Sequence, residues 1–306
     1  MENIYDLAIL GAGPAGICAA IYATRAKLNT IWLDKKFVQG GQIVDTYEVD
    51  NYPGLPGITG LDLGEAMAGH AKKLGMKPQR EPVRSIEAGQ GIKVIRTKKN
   101  EYRARAVIIA CGATHRHLGI PGEEELSGMG VSYCATCDAA FFQDRTVVVV
   151  GGGNVAVEDA ILLSRTCKKV YLVHRRDELR AEKILQECLF ACKNVELIWD
   201  SIPLSIEGTD KVEALKIQNK KTQEESFIET DGVFIAVGIV PGTEKFKDLV
   251  KLDEAGYIVA GEDGITSEPG IFAAGDIRTK NLRQVVTAVA DGANAVASAQ
   301  RYLLDK

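Results

Sequence analysis

Cys134-Ala135-Thr136-Cys137-Asp138 is the stretch of this 306-residue chain whose residue types look like a reaction centre. Two intervening residues let two sulfurs come within bonding distance, and the onset of a helix beside them lowers a thiol pKa. Asp138 follows directly, and its carboxylate can relay a proton when such a couple is reduced. A zinc half-site has the same spacing but needs a second pair. No other Cys-x-x-Cys occurs, since Cys188 and Cys192 are four apart. Seven cysteines, an odd number without framework spacing, fit a compartment that keeps thiols reduced.

A sulfur couple needs a source of electrons, and the sequence repeats one nucleotide-binding pattern twice. First, the apolar run 7–10 leads into Gly11-Ala12-Gly13-Pro14-Ala15-Gly16, a helix-like stretch 17–25, and a strand 30–33 ending at Asp34. Second, the run 147–150 leads into Gly151-Gly152-Gly153-Asn154-Val155-Ala156, a helix-like stretch 157–165, and a strand 170–173 ending at His174. From Gly16 to Asp34 is 18 positions, and so is Ala156 to His174. In such a loop one glycine permits the tight turn, the next admits a pyrophosphate against backbone, and the third lets helix and strand pack closely. The helix N-terminus then offers free N–H groups and partial positive charge to phosphates.

The residues at the two strand ends differ. Asp34 can accept hydrogen bonds from ribose hydroxyls. His174 is followed by Arg175, Arg176 and, further on, Arg180. Guanidinium forks match phosphate oxygens, which favours NADPH over NADH at the second loop. A run such as Arg175-Arg176 is often only a solvated basic surface; its placement after the 18-residue offset favours the nucleotide reading. The first loop then takes a different dinucleotide, FAD. Gly40-Gly41-Gln42 and Asn51-Tyr52-Pro53-Gly54 supply small side chains and free amides suited to lie against a flavin.

These residues must be carried by βαβ units. Apolar runs at 106–113 and 232–238 close the two units, a third lies at 270–276, and 283–304 has helical spacing. The expected fold is α/β, with two Rossmann-like three-layer domains, the NADPH domain inserted into the FAD domain. The FAD domain would comprise residues 1–114 plus 244–306 and the NADPH domain 118–240, with crossings near 115–121 and 238–243. The sulfur pair precedes the second phosphate loop, so it rides on the NADPH domain and electrons must pass between domains. Residues 211–225 read as an exposed strand pair. Cys18, Cys111 and Cys167 read as packing residues, and Cys188 and Cys192 as neighbours on one helix face. His115 and His117 lack a third metal ligand, and Trp32 and Trp199 read as core or strand residues.

Composition narrows the partners. Apolar residues at 46% and charged residues at 25% exclude a disordered chain. A net charge of −4 argues against nucleic-acid and anionic-membrane partners. Apolar runs are strand-length, short of a membrane span, and residues 1–6 carry neither a basic nor an apolar leader, so a cytoplasmic location is expected.

Along nearly its whole length the chain resembles the bacterial low-molecular-weight thioredoxin reductases. The motifs are the loop 11–16, Gly40-Gly41-Gln42, Cys134-Ala135-Thr136-Cys137-Asp138, the loop 151–156, His174-Arg175-Arg176 with Arg180, and Gly275-Asp276 with Arg283-Gln284. The resemblance implies a homodimer in which NADPH reduces FAD, FAD reduces a Cys134–Cys137 disulfide, and the dithiol reduces thioredoxin. It implies cofactor contacts from Lys35, Asn51, Gly112, Asp276, Arg283, Gln284 and Val285, with Asp276 at the pyrophosphate–ribityl region and Arg283-Gln284 at the flavin ring. It implies Asp138 as the acid–base group, and an inserted domain that rotates about its two crossings. Ala139 stands where the family often has Gly, and Cys111 where Thr is common. Larger glutathione-reductase-like enzymes carry the disulfide in the FAD domain, whereas no cysteine lies near residues 40–42.

Rival readings are a ferredoxin–NADP reductase-like protein, which should lack Cys134 and Cys137, and the flavoprotein partner of a peroxidase system, which usually carries an extra thioredoxin-like module. A non-catalytic NADP-binding sensor would not need Cys-Ala-Thr-Cys-Asp. Whether a glutaredoxin-like or other dithiol protein replaces thioredoxin, and which cysteine faces the flavin, stay open at this level.

Overall fold

The computed structural model describes residues 4–46, 48–89 and 91–305. The chain divides into two compact units, Met1–Thr114 with Val240–Lys306, and His115–Ile239. Among the described residues no helix is long and apolar enough to cross a membrane.

The first unit begins with β1 (Ile4–Leu10), α1 (Pro14–Arg25), β2 (Thr30–Asp34) and α2 (Gly60–Lys73). It continues through β3 (Gln79–Arg80), β4 (Ser85–Ala88), β5 (Lys93–Arg96) and β6 (Glu101–Ile109). The chain leaves along β7 (Ala113–His115). The second unit holds β8 (Val131–Ser132), α3 (Ala135–Asp138), β9 (Thr146–Gly151), α4 (Asn154–Ser164) and β10 (Lys169–Val173). After α5 (Lys183–Phe190) and β11 (Val195–Ile198) come β12 (Ser201–Glu207), β13 (Ala214–Asn219), β14 (Glu225–Glu229) and β15 (Gly232–Ala236). The chain returns along β16 (Ile239–Pro241), and β17 (Ile271–Ala273) and α6 (Val285–Leu304) complete the first unit.

In the first unit the strand order is β3-β2-β1-β6-β5-β4, with β17 also on β6. β6 serves two partners along one edge: its start pairs antiparallel with β5, and Val107 to Ile109 pair in parallel with β17. Successive side chains of β1 point to opposite faces. Leu7 and Ile9 pack with Ile108 beneath the small residues of α1 and α6, while Ala8 and Leu10 meet Phe246 and Ile258 on the other side. Covering both faces explains why the strands read as continuous apolar runs rather than alternating ones. α1 and α6 lie close because a Cβ at Gly292 would run into the carbonyl oxygen of Ala15.

The second unit repeats the plan with a parallel sheet ordered β11-β10-β9-β15-β8. Val147 and Val149 pack on Ala156, Val157 and Ala160 of α4. Val148 and Val150 pack on Ile206, Leu215 and Ile228 of the antiparallel sheet β12-β13-β14. The α/β Rossmann-like fold is thus present twice.

Several details differ from the sequence reading. α1 starts at Pro14, not residue 17, because a proline at the first helical position is already set at helical φ. The strand pair expected over 211–225 is β13 and β14, but β14 only begins at Glu225, and a third strand, β12, joins them with a register shift between Pro203 and Ser205. α5 ends at Phe190, so Cys192 lies beyond it and does not share a helix face with Cys188. Cys18 and Cys167 are buried as expected, but Cys111 is exposed at the end of its strand, its Sγ 3.6 Å from the carbonyl of Leu10.

Candidate active site

Cys134 and Cys137 form a disulfide, with Cα atoms 5.3 Å apart. Between them begins α3, a single turn whose N-cap is Cys134. Its Sγ accepts the Cys137 N–H at 3.2 Å, and its carbonyl accepts the N–H groups of Cys137 and Asp138, each at 3.1 Å. An amide aimed at a sulfur favours the thiolate when the bond opens. Both cysteines are half-buried and Thr136 between them is exposed.

The turn is delivered by β8, whose Ser132 pairs with Phe234 of β15 and is 5% exposed. The Ser132 hydroxyl accepts the Cys134 N–H at 3.1 Å and donates to Asp138 Oδ2 at 2.5 Å. Burial pushes the Asp138 carboxyl above the usual carboxylate range, and the Ser132 bond pulls back only part of the rise. A carboxyl raised in this way, one residue beyond Cys137, suits the proton relay expected of it. Ser132 escaped the sequence reading because a serine two positions before a cysteine follows no known spacing.

Tyr133, between Ser132 and Cys134, donates its hydroxyl to Glu123 Oε1 at 2.7 Å. His115 stacks on the Tyr133 ring, with centroids 5.2 Å apart, and His117 Nδ1 lies 3.0 Å from the hydroxyl. The two histidines are thus neighbours of one tyrosine. Among the described residues no group of three or more His, Cys, Asp and Glu side chains could hold a metal ion.

The first glycine-rich loop lies between β1 and α1. Gly11 is left-handed at φ +108°, which only glycine adopts without strain, and a Cβ at Gly16 would strike the carbonyl of Gly11. Gly13 caps α1 in extended form, Pro14 opens the helix, and Ala15 is buried. The Trp32 indole donates to Gly11 O at 2.8 Å and Gly40 N–H to Ala12 O at 2.8 Å. A Cβ at Gly41 would press within 3.0 Å of Gly13 Cα. Gly40 and Gly41, distant in sequence, therefore line the same loop.

Asp34 at the end of β2 is raised by burial, against the lowering pull of backbone N–H groups at Lys35, Lys36 and Ala12. The Lys35 side chain is exposed. Gln42 donates to the Ala113 carbonyl, and Gly112 beside it is left-handed at φ +68°. Asn51 donates to Gln284 Oε1 at 2.9 Å, joining residues 233 positions apart. Gln284 in turn caps α6 in a reciprocal box with Thr287, ahead of half-buried Val285. The Arg283 guanidinium lies 4.0 Å over the Tyr257 ring.

Among the described residues of this unit, the buried atoms Asp276 Oδ1 and Arg283 Nε have no hydrogen-bond partner. Burial raises the Asp276 carboxyl, and Lys280 and Arg283 oppose the rise. Buried polar atoms left unpaired are rare and point to a bound polar group. A ligand with hydroxyls, phosphates and a polar ring edge supplies both a donor for the carboxylate and an acceptor for the guanidinium, and FAD has all three. The residues present fit that cofactor.

The second glycine-rich loop lies between β9 and α4. Gly153 caps α4 in extended form, and Val155 is exposed while Ala156 is buried. The Asn154 side chain is already engaged: it donates to Glu182 Oε1 at 3.2 Å and accepts Glu182 N–H at 2.9 Å. His174 is 6% exposed and packs beneath Gly152, where a Cβ would enter its imidazole ring. Burial lowers the His174 pKa against the raising pull of backbone bonds at Gly151 and Glu178, and Arg175 and Arg176 add to the lowering. Its Nε2 is buried without a partner. Arg175, Arg176 and Arg180 are exposed, and Arg180 N–H donates to Gly152 O at 2.7 Å, which brings the arginine segment beside the loop.

Residues 5–292 match the family model for pyridine nucleotide-disulphide oxidoreductases. The thioredoxin reductase of Listeria innocua is 49% identical over 99% of this chain and 95% of its own length. That of Bacillus subtilis is 46% identical over 99% and 96%. The crystal structure of thioredoxin reductase from Streptococcus pyogenes matches all of both chains with a TM-score of 0.95 and 45% identity. The chain belongs to the pyridine nucleotide-disulphide oxidoreductase family and, within it, to the thioredoxin reductases.

Proposed function

We propose that the protein reduces thioredoxin with electrons from NADPH, using FAD in the first unit and the Cys134–Cys137 disulfide in the second. The observation that carries this reading is the disulfide on α3 with Asp138 one residue beyond it. Bound FAD supplies the redox chemistry between the two-electron hydride of NADPH and the sulfur couple. Opening a disulfide to two thiols takes two electrons and two protons. The hydride accounts for both electrons and one proton, and Asp138, whose carboxyl burial raises above the usual carboxylate range, provides the route for the other. One thiolate of the pair then attacks the disulfide of oxidised thioredoxin, and the second closes the Cys134–Cys137 bond as reduced thioredoxin leaves.

The FAD pyrophosphate is assigned to Gly11, Gly13, Pro14, Ala15 and Gly16, and its ribose to Asp34. The flavin is assigned to Gly40, Gly41, Gln42, Asn51 and Gly112, with Asp276, Arg283, Gln284 and Val285. The unpaired atoms of Asp276 and Arg283 support this placement. NADPH is assigned to Gly151, Gly153 and residues 154–156, with Arg175, Arg176 and Arg180 at the 2′-phosphate. In this reading the FAD domain is the discontinuous unit and the NADPH domain the inserted one. The protein acts as a homodimer in the cytoplasm. The free thiols of Cys18, Cys111, Cys167, Cys188 and Cys192 support a reducing compartment.

The test is NADPH-driven against NADH-driven reduction of the organism's own thioredoxin, with Cys137→Ser as the control. The purified enzyme is expected to be yellow and to bleach with NADPH under anaerobic conditions. Thioredoxin reduction that survives Cys137→Ser rejects the dithiol route.

A further inference from the structure

We propose that Ser132 is a positioning residue of the redox centre: its hydroxyl holds the Asp138 carboxyl to the turn that bears both sulfurs and selects the oxygen that exchanges a proton with them. The proposal rests on the disulfide-reductase reading above. A serine hydroxyl has one proton to give and two lone pairs. One lone pair takes the Cys134 N–H at 3.1 Å, and the proton goes to Asp138 Oδ2 at 2.5 Å. Were the acid proton of Asp138 placed on Oδ2, the Ser132 proton would lose this acceptor inside a site where the serine is 5% exposed. Leaving a buried donor unpaired is costly, so the acid proton goes to Oδ1. The hydroxyl cannot drift, because Ser132 is held in β8 by its pairing with Phe234 of β15. One rigid strand therefore fixes the Cys134 amide and the Asp138 carboxyl together.

The same bond favours the ionised carboxylate and opposes the burial that raises its pKa. Removing it makes Asp138 hold its proton to higher pH, and frees the carboxyl to rotate.

The experiment follows reduction of the Cys134–Cys137 disulfide by dithiothreitol across pH in the purified full-length protein, counting iodoacetamide-trapped thiols by mass spectrometry. It needs neither NADPH nor thioredoxin. Ser132→Ala is expected to slow reduction roughly tenfold and to move the pH limb belonging to Asp138 to higher pH. Ser132→Thr is expected to restore both. In an Asp138→Asn background, Ser132→Ala is expected to change the rate by less than about twofold, because its route through the Asp138 carboxylate is already gone. A limb that stays at its wild-type position in Ser132→Ala overturns the proposal, as does an equal slowing in the Asp138→Asn background. Normal thioredoxin turnover with an unmoved limb refutes only the role of Ser132. A moved limb without thioredoxin reduction refutes only the substrate reading.

Discussion

The Tyr133 hydroxyl donates to Glu123 Oε1 at 2.7 Å, and Tyr133 immediately precedes Cys134. Glu123 is 1% exposed, and its carboxylate also accepts the N–H groups of Leu118 at 3.0 Å and Gly119 at 2.7 Å. The redox turn is thereby tied to the segment 118–123, close to the point where the chain enters the second unit. A buried carboxylate is tolerated there because the Tyr133 hydroxyl and backbone N–H groups replace its lost water.

Tyr133→Phe removes one of those donors and keeps the ring. The variant is expected to lose about 1–3 kcal/mol of stability, the cost of leaving a buried acceptor short of a bond. Urea unfolding checks this, and a midpoint within error of wild type would show that the bond carries no structural weight.

Acid should weaken the same region. Burial raises the Glu123 carboxyl, but the Tyr133 hydroxyl and the backbone donors at Leu118, Gly119 and Ile120 outweigh it and hold the group below its ordinary value. Its stabilisation is full above the unfolded glutamate value near 4.3 and is lost as pH falls through the lower folded value. Burial also lowers His115, which adds a loss of stability as pH drops below about 6.5, where the unfolded chain takes up that proton first. Melting temperature against pH is expected to fall in two stages, and Glu123→Gln should remove the more acidic one.

Arg175→Ala combined with Arg176→Ala is expected to raise KM for NADPH roughly 10- to 100-fold and to leave KM for NADH nearly unchanged. Both side chains are exposed, in the segment that Arg180 N–H ties to Gly152. Equal effects on the two coenzymes would reject their assignment to a 2′-phosphate.

Asp276→Leu removes the buried Oδ1 that has no protein partner. FAD affinity is expected to fall about tenfold or more, the equivalent of one charged hydrogen bond. The ratio of flavin to protein absorbance after dialysis measures it; undiminished flavin content would remove Asp276 from the cofactor site.

Gly292→Leu places a side chain where a Cβ already strikes the Ala15 carbonyl, so α1 and α6 must separate. A loss of about 1–3 kcal/mol in urea unfolding is expected, together with weaker flavin retention if Ala15 lines the FAD pyrophosphate as proposed. Gly69→Ala in α2 is the control. Nothing lies within 4 Å of a Cβ there, and a gain of about 0.5–1 kcal/mol is expected from the better helix former.

What could be read in the sequence was chemistry that the backbone imposes locally. Gly11 must be left-handed, a helix must start within a few residues of it, and a disulfide across two residues needs only one turn. Each demand restricts residue type at fixed spacing, so the repeated loop, the strand-end Asp34 and the pair Cys134–Cys137 were visible without coordinates. Apolar strand runs were visible because both sheet faces are covered. Tertiary structure alone decided the bonds Ser132–Asp138, Tyr133–Glu123 and Asn51–Gln284, and the burial of His174 under Gly152. A hydrogen bond between side chains of separate elements has no period, and the desolvation that raises the Asp138 pKa and lowers that of His174 exists only once neighbours have displaced water.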